Sequence, residues 1–148
     1  MNILVIDDDM TRLNWFLDTL EPAGYDVRIA DDVELALDQL SATVFDLAFF
    51  DHDLGEASTS MLKNRRYENL PGGDPNGSRL LGYAMQFYKR FHLPRHIWVH
   101  SANPVGAKNI AAKCNSAEIP YVISDYGEII KDPEGFLAAV ENFLNDDA

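Results

Sequence analysis

The stretch that most limits what this chain can fold into is Phe45-Asp46-Leu47-Ala48-Phe49-Phe50, five apolar residues in six, followed at once by Asp51-His52-Asp53-Leu54-Gly55. A run this short, apolar at successive positions and closed by turn residues, reads as a strand covered on both faces. That is the condition of a central strand in a parallel sheet. Open α/β sheets bind ligands beyond the carboxyl ends of their strands, and Asp51, His52 and Asp53 emerge at that end. Two acids and an imidazole crowded there repel or desolvate one another, at a cost, unless a metal or substrate uses them.

The rest of the chain supplies partners for such a strand. Asn2–Ile6 is a second apolar run ending in Asp7-Asp8-Asp9. Leu13, Phe16, Leu17 and Leu20 recur at helical spacing between Thr11 and Glu21, where Pro22 and Gly24 stop the helix. Residues 25–30 alternate as a strand nearer an edge. Asp31-Asp32 can cap a helix buried through Val33, Leu35, Ala36, Leu37 and Leu40, and the central strand follows over 44–50. Residues 55–77, rich in Gly, Pro, Ser and Asn, form a long loop of the kind that serves as a lid or binding loop. Ser78 starts a helix running to about Phe91, with Leu80, Leu81, Ala84, Phe87, Tyr88 and Phe91 inward. A strand over 96–100 ends in Ser101-Ala102. Asn103-Pro104 is a strong helix start, and that helix runs to about Asn115. A fifth strand, 119–123, ends at Ser124-Asp125, and Asp132-Pro133 opens a last helix with Phe136, Leu137, Val140, Phe143 and Leu144 inward. Five strands alternating with helices, joined by right-handed crossovers, give a doubly wound parallel sheet in an α/β/α sandwich. One domain over 1–148 is expected, with 55–77 as its insertion.

Charge narrows the partners. The net charge is −12, which disfavours binding of long nucleic acid. Residues 1–62 hold fourteen acids against Arg12 and Arg28, whereas 63–95 hold seven bases against Glu68 and Asp74. A small phosphate ligand on that local basic segment fits; a solvated face balancing the acids fits equally. No apolar run approaches the roughly 20 residues of a membrane span. The lone Cys114 reads as a small core residue, and with no signal-like N-terminus a cytoplasmic protein is expected.

With the first and third strands as neighbours about 4.8 Å apart, Asp7, Asp8 and Asp51 can converge on one cation. Hard oxygen donors at an open edge suit Mg²⁺, or Mn²⁺. At these residues the sequence resembles a response-regulator receiver: Ile3–Asp9 is similar to its first strand and acidic pair, Asp46–Asp51 to the strand carrying its phospho-accepting aspartate, and Ser101-Ala102 to its Ser/Thr-Ala pair. The resemblance implies the flavodoxin-like strand order 2-1-3-4-5. It also implies a metal held by Asp8 and Asp51, directly or through water with Asp7, and by the carbonyl of Asp53. Receivers place Lys-Pro after the fifth strand; here Ser124-Asp125 stands there, so an acyl phosphate on Asp51 lacks a charge-assisted contact of roughly 1.5–3 kcal/mol.

Asp51-His52-Asp53-Leu54-Gly55 and His100-Ser101-Ala102-Asn103-Pro104-Val105-Gly106 further resemble the cyclic-phosphate processing receivers, whose D-H-D-L-G and H-S-A-N-P-V-G signatures are both intact. The leading expectation is therefore a metal-dependent phosphoesterase, or a binding domain, for a small cyclic or terminal phosphate of RNA-end or nucleotide origin. His52 and His100 would be its acid and base beside Asp51. Ser101, the helix-start amides of Asn103 and Val105, and Arg65 or Arg66 on the loop would meet the phosphate. The alternative is an atypical receiver phosphorylated on Asp51 and acting through a protein partner, with room for a homodimer. Structural roles fit several of the same residues. A strand-end histidine is often a satisfied structural group, and strand alternation sets His100 and Ser101 on opposite faces. His92 and His96 lie at the other end of the sheet, and Trp15 and Trp98 read as packing residues.

Overall fold

The structure, a computed structural model, describes residues 1–54 and 76–145. The loop residues Arg65 and Arg66, and all of the expected lid except Asn76 and Gly77, lie outside them, as does most of the acidic tail. Five parallel strands, β1 (Asn2–Ile6), β2 (Asp26–Ala30), β3 (Leu47–Phe50), β4 (Ile97–Val99) and β5 (Tyr121–Ile123), stand in the order β2-β1-β3-β4-β5. This is the doubly wound, flavodoxin-like arrangement that the alternation of elements and the receiver resemblance imply. The order reverses between β1 and β3, the switch point at which such sheets hold ligands.

Helices α1 (Met10–Leu20), α2 (Val33–Ala42), α3 (Gly77–Gln86), α4 (Pro104–Ala117), α5 (Tyr126–Ile129) and α6 (Pro133–Asn145) cover the sheet. Strand alternation divides the core into two layers. Ile3, Val5, Leu47, Phe49 and Trp98 face α1, α5 and α6 through Leu13, Phe16, Ile129, Phe136 and Val140. Leu4, Ile6, Ala48, Phe50, Ile97 and Val99 face α2, α3 and α4 through Leu37, Leu40, Leu80, Leu81, Ala107 and Ile110. All four residues of β3 are buried, as a strand between two helical layers requires. Asx side chains start the helices: Asp9, Asp32, Asn76, Asn103 and Asp125 each accept a backbone N–H of the first turn.

Several boundaries differ from the sequence expectation, β3 and β4 being shorter than the apolar runs that predict them. The helix begun near Ser78 ends at Gln86, because Phe87 leaves the helical region (φ −108°, ψ 47°). The chain then turns, Arg90 N–H donating to the Phe87 carbonyl and His92 N–H to that of Leu40. Phe91 thereby enters the core while Tyr88, expected inward, is 67% exposed. β5 is shorter than expected, beginning after Pro120, whose carbonyl accepts from Ile97 N–H. The four-residue α5 went unanticipated, being too short to show a period. Cys114, Trp98 and His96 are buried, and no helix among the described residues is long and apolar enough to cross a membrane.

Phe49 is fully buried against Phe16, Trp98 and Phe136. Phe49→Ala should cost about 3–5 kcal/mol in urea unfolding, and Tyr88→Ala less than about 0.5 kcal/mol.

Candidate functional site

Register decides what meets at the switch point. Ile6, Phe50 and Val99 are aligned across β1, β3 and β4, so the next residues, Asp7, Asp51 and His100, form one row at the strand ends. Asp51 N–H donates to the Ile6 carbonyl at 3.0 Å and His100 N–H to that of Phe50 at 3.1 Å, continuing the ladder into the site. Two positions beyond Val5, Phe49 and Trp98, these three side chains share the α1 face. Each offers a ligand atom within 4.8 Å of the others, and all three are buried. His100 Nε2 donates to Asp7 Oδ2 at 2.8 Å, and the ring lies against Phe16 with centroids 5.1 Å apart. Its Nδ1 is buried with no hydrogen-bond partner among the described residues.

Into this row reaches Arg12, from the first turn of α1. Its Nε and Nη2 grip both oxygens of Asp7 at 2.8 Å, and Nη2 also lies 3.4 Å from Asp8 Oδ1 and 3.4 Å from Asp51 Oδ2. The guanidinium sits 6.0 Å from the Tyr126 ring centroid. Burial would raise the Asp7 pKa, but hydrogen bonds from His100 and Arg12 outweigh it and bring the carboxyl down to about 2. Asp51 goes the other way: burial and then the charge of Asp7 push it up to about 7, against a weaker pull from Arg12. Asp8 is also raised, by burial and by Asp7. Two adjacent carboxyls held apart in this way give one fixed anion and one that switches near neutrality.

The opposite face carries a second group. His52 is half-buried, its Nδ1 lying 3.0 Å from Asp53 Oδ1 and 3.4 Å from Asn103 Nδ2. The ring rests on the bare α-carbon of Gly106, where a Cβ would collide with it, and Gly77 lies against the Asp51 carbonyl in the same way. Asn103 Oδ1 accepts from Gly106 N–H at 3.0 Å, capping α4, and Asn103 N–H donates to Ser101 Oγ at 3.1 Å. Ser101 is buried and Val105 is exposed.

The structure thus brings Asp7 and Asp51 together and adds His100 to them. It does not bring His52 to His100: the pair expected to share acid–base work is split by strand parity, and His100 is committed to Asp7. Asp8 touches Arg12 instead of joining the row, and the Asp53 side chain, 66% exposed, turns to His52. The sequence pattern does not single out Arg12 for the site. Its signal was faint, the one base beside Asp7-Asp8-Asp9, three residues after a cap and four after Asp8. As a test for a divalent cation, the row offers the two carboxylates of Asp7 and Asp51, hard oxygen donors of the kind that fits Mg²⁺ or Mn²⁺. Arg12 holds the same carboxylates, so a bound ion would compete with it for their oxygens.

The family described as the cyclic-phosphate processing receiver domain matches residues 2–116. No curated protein matches. Solved structures do. A CheY-like receiver domain protein from Methanospirillum hungatei JF-1 is 20% identical with a TM-score of 0.62, over 98% of this chain and 94% of its own. The signal receiver domain of an HD domain-containing protein from Pseudomonas fluorescens Pf-5 is 21% identical with a TM-score of 0.65, over the same shares. The response regulator TrrA from Thermotoga maritima, solved in complex with Mg(2+)-BeF, is 18% identical with a TM-score of 0.58, over 96% of this chain and 97% of its own. At these identities the likeness is one of fold.

The two carboxyls give the metal-free protein a defined pH response. Asp51 titrates near 7 when folded and near its ordinary 3.8 when unfolded, so between those values the native state holds a proton that the unfolded chain has released. Its contribution is complete below about pH 4 and is lost as pH rises through 7. Asp7, lowered to about 2, contributes above 3.8 and loses that contribution as pH falls through 2. Between pH 5 and 8, without divalent ions, the melting temperature should therefore fall. Asp51→Asn should flatten that slope, and a slope unchanged in the variant would assign it to other groups.

Proposed function

The chain belongs to the cyclic-phosphate processing receiver domain family, and from that premise we propose that it works as an atypical receiver. In this reading a phosphoryl group is taken at Asp51 beside a divalent cation, and a protein partner reads the occupied pocket. The observation that carries it is the buried row of Asp7, Asp51 and His100 at the strand ends of the switch point.

Each residue has a chemical part in that reading. Asp7, kept ionised by His100 and Arg12, is a ready metal ligand; Asp51 is the other. A divalent ion, when bound, would shield phosphoryl oxygens and favour the carboxylate form of Asp51. Asp51 then attacks the phosphorus of a small acyl phosphate, and the departing carboxylate takes the electrons of the broken P–O bond. His100 is a positioning residue, its Nε2–H aiming Asp7. The Mg(2+)-BeF complex of TrrA suggests the same class of probe here.

A second reading, hydrolysis of a small cyclic phosphate from an RNA end or nucleotide, is favoured by His52. That imidazole is held between Asp53 and Asn103 on the other face, outside the Asp7 network. With His100 buried and committed to Asp7, it would work without a histidine partner.

Magnesium with beryllofluoride should raise the melting temperature of the wild type well beyond magnesium alone, by binding the native state. Asp51→Asn should lose that increment. A set of 2′,3′-cyclic nucleotides incubated with the protein and Mg²⁺ or Mn²⁺ should remain intact by ³¹P NMR. Turnover that His52→Ala reduces by about 10²–10⁴ would replace the receiver reading with the hydrolase.

A further inference from the structure

A phosphoryl group at Asp51 adds negative charge to a pocket that already holds Asp7 and Asp8. Something cationic must lie against it, and the end of β5 supplies Ser124-Asp125. Among the described residues, the basic side chain found against Asp51 is Arg12, 3.4 Å from Oδ2. Its position suits a group that moves between partners. It is anchored at the first turn of α1, where Asp9 Oδ1 accepts both Thr11 N–H and Arg12 N–H, so the guanidinium can swing while the backbone stays fixed. The side chain is 31% exposed, and Nη2 is shared among three carboxylates.

The Tyr126 ring offers it a second support. Tyr126 opens α5 directly after Ser124-Asp125, its N–H bonded to the His100 carbonyl at 3.0 Å. Trp15 packs edge-on against the same ring with centroids 5.7 Å apart. The ring is thus tied to both β4 and α1, and a guanidinium over an aromatic face keeps favourable contact when its carboxylates are taken.

We propose that Arg12 is the phosphoryl-contacting cation of this pocket. It neutralises Asp7 and Asp51 at rest, yields them to a divalent ion, and then lies on the phosphoryl oxygens at Asp51 while resting against Tyr126. This rests on the receiver reading and adds to it a residue that both competes with metal and holds phosphate.

The two halves separate by calorimetric titration of the full chain at pH 8, first with Mg²⁺ alone and then with Mg²⁺ plus beryllofluoride. Arg12→Gln removes the competing charge, so it should bind Mg²⁺ about tenfold more tightly than wild type, yet lose most of the tightening that beryllofluoride adds. Arg12→Lys keeps the charge without the two-pronged grip and should retain part of that tightening. It decides the matter should Arg12→Gln fail to fold, because a lysine variant matching wild type in both titrations overturns the proposal. So does an Arg12→Gln protein that binds Mg²⁺ no more tightly, or that keeps the full beryllofluoride response. A wild type that responds to Mg²⁺ but not to beryllofluoride removes the receiver reading and the proposal together. A full response in both wild type and Arg12→Gln leaves the reading standing and removes the proposal alone.

Discussion

Asp7 is a carboxylate with no solvent contact, seated on an aromatic layer, and the site depends on how that charge is satisfied. Its side chain is 0% exposed, and its two oxygens take hydrogen bonds from Arg12 Nε and Nη2, His100 Nε2 and the backbone N–H of Asp9. Removing one partner of a buried pair costs about 3–5 kcal/mol, because the remaining charge is stranded. Three elements are therefore tied at one point: β1 through Asp7, α1 through Arg12, and β4 through His100. Asp51, next in the row, has no such set of donors among the described residues, and its carboxyl rises where that of Asp7 falls.

The sheet and its acidic edge were legible because they rest on periodicities that short range fixes. Apolar runs at Asn2–Ile6 and Phe45–Phe50, each ending in acids, call for neighbouring central strands, and one register then sets Asp7 beside Asp51. Parity limited the histidines. His52 and His100 are equally strand-terminal in the sequence, but one is the first residue of its row and the other the second, so they face opposite layers. Arg12 was illegible for a different reason, since a long side chain's direction is chosen by the charge around it after folding. The end of α3 at Gln86 was set by tertiary demand, with Phe91 drawn under α2, against a helical pattern that continued to Phe91.

Two asparagine–glycine pairings explain how helices come so near the strand ends. Asn76 caps α3 and Gly77 lets its first turn lie on the Asp51 carbonyl; Asn103 caps α4 and Gly106 lets its first turn lie on the His52 ring. In each case a polar side chain satisfies the exposed N–H group while a missing Cβ removes the obstacle. Any larger residue at 77 or 106 would move a helix start away from the residues it abuts. The strand-end geometry is thus held from α1 by charge and from α3 and α4 by close backbone approach.

The short fifth strand has a consequence for how the edges of such an apolar sheet meet other chains. β5 spans three residues and follows Pro120, which has no N–H to offer a neighbouring ladder. At the other margin β2 projects Asp26 and Arg28, 3.9 Å apart, from its exposed positions. An incoming strand would meet a charged pair on one side and a truncated, proline-led ladder on the other, both of which blunt edge-to-edge pairing. Neither edge of the described sheet thus offers a long template for the continuous hydrogen-bonded stacking that leads to fibres.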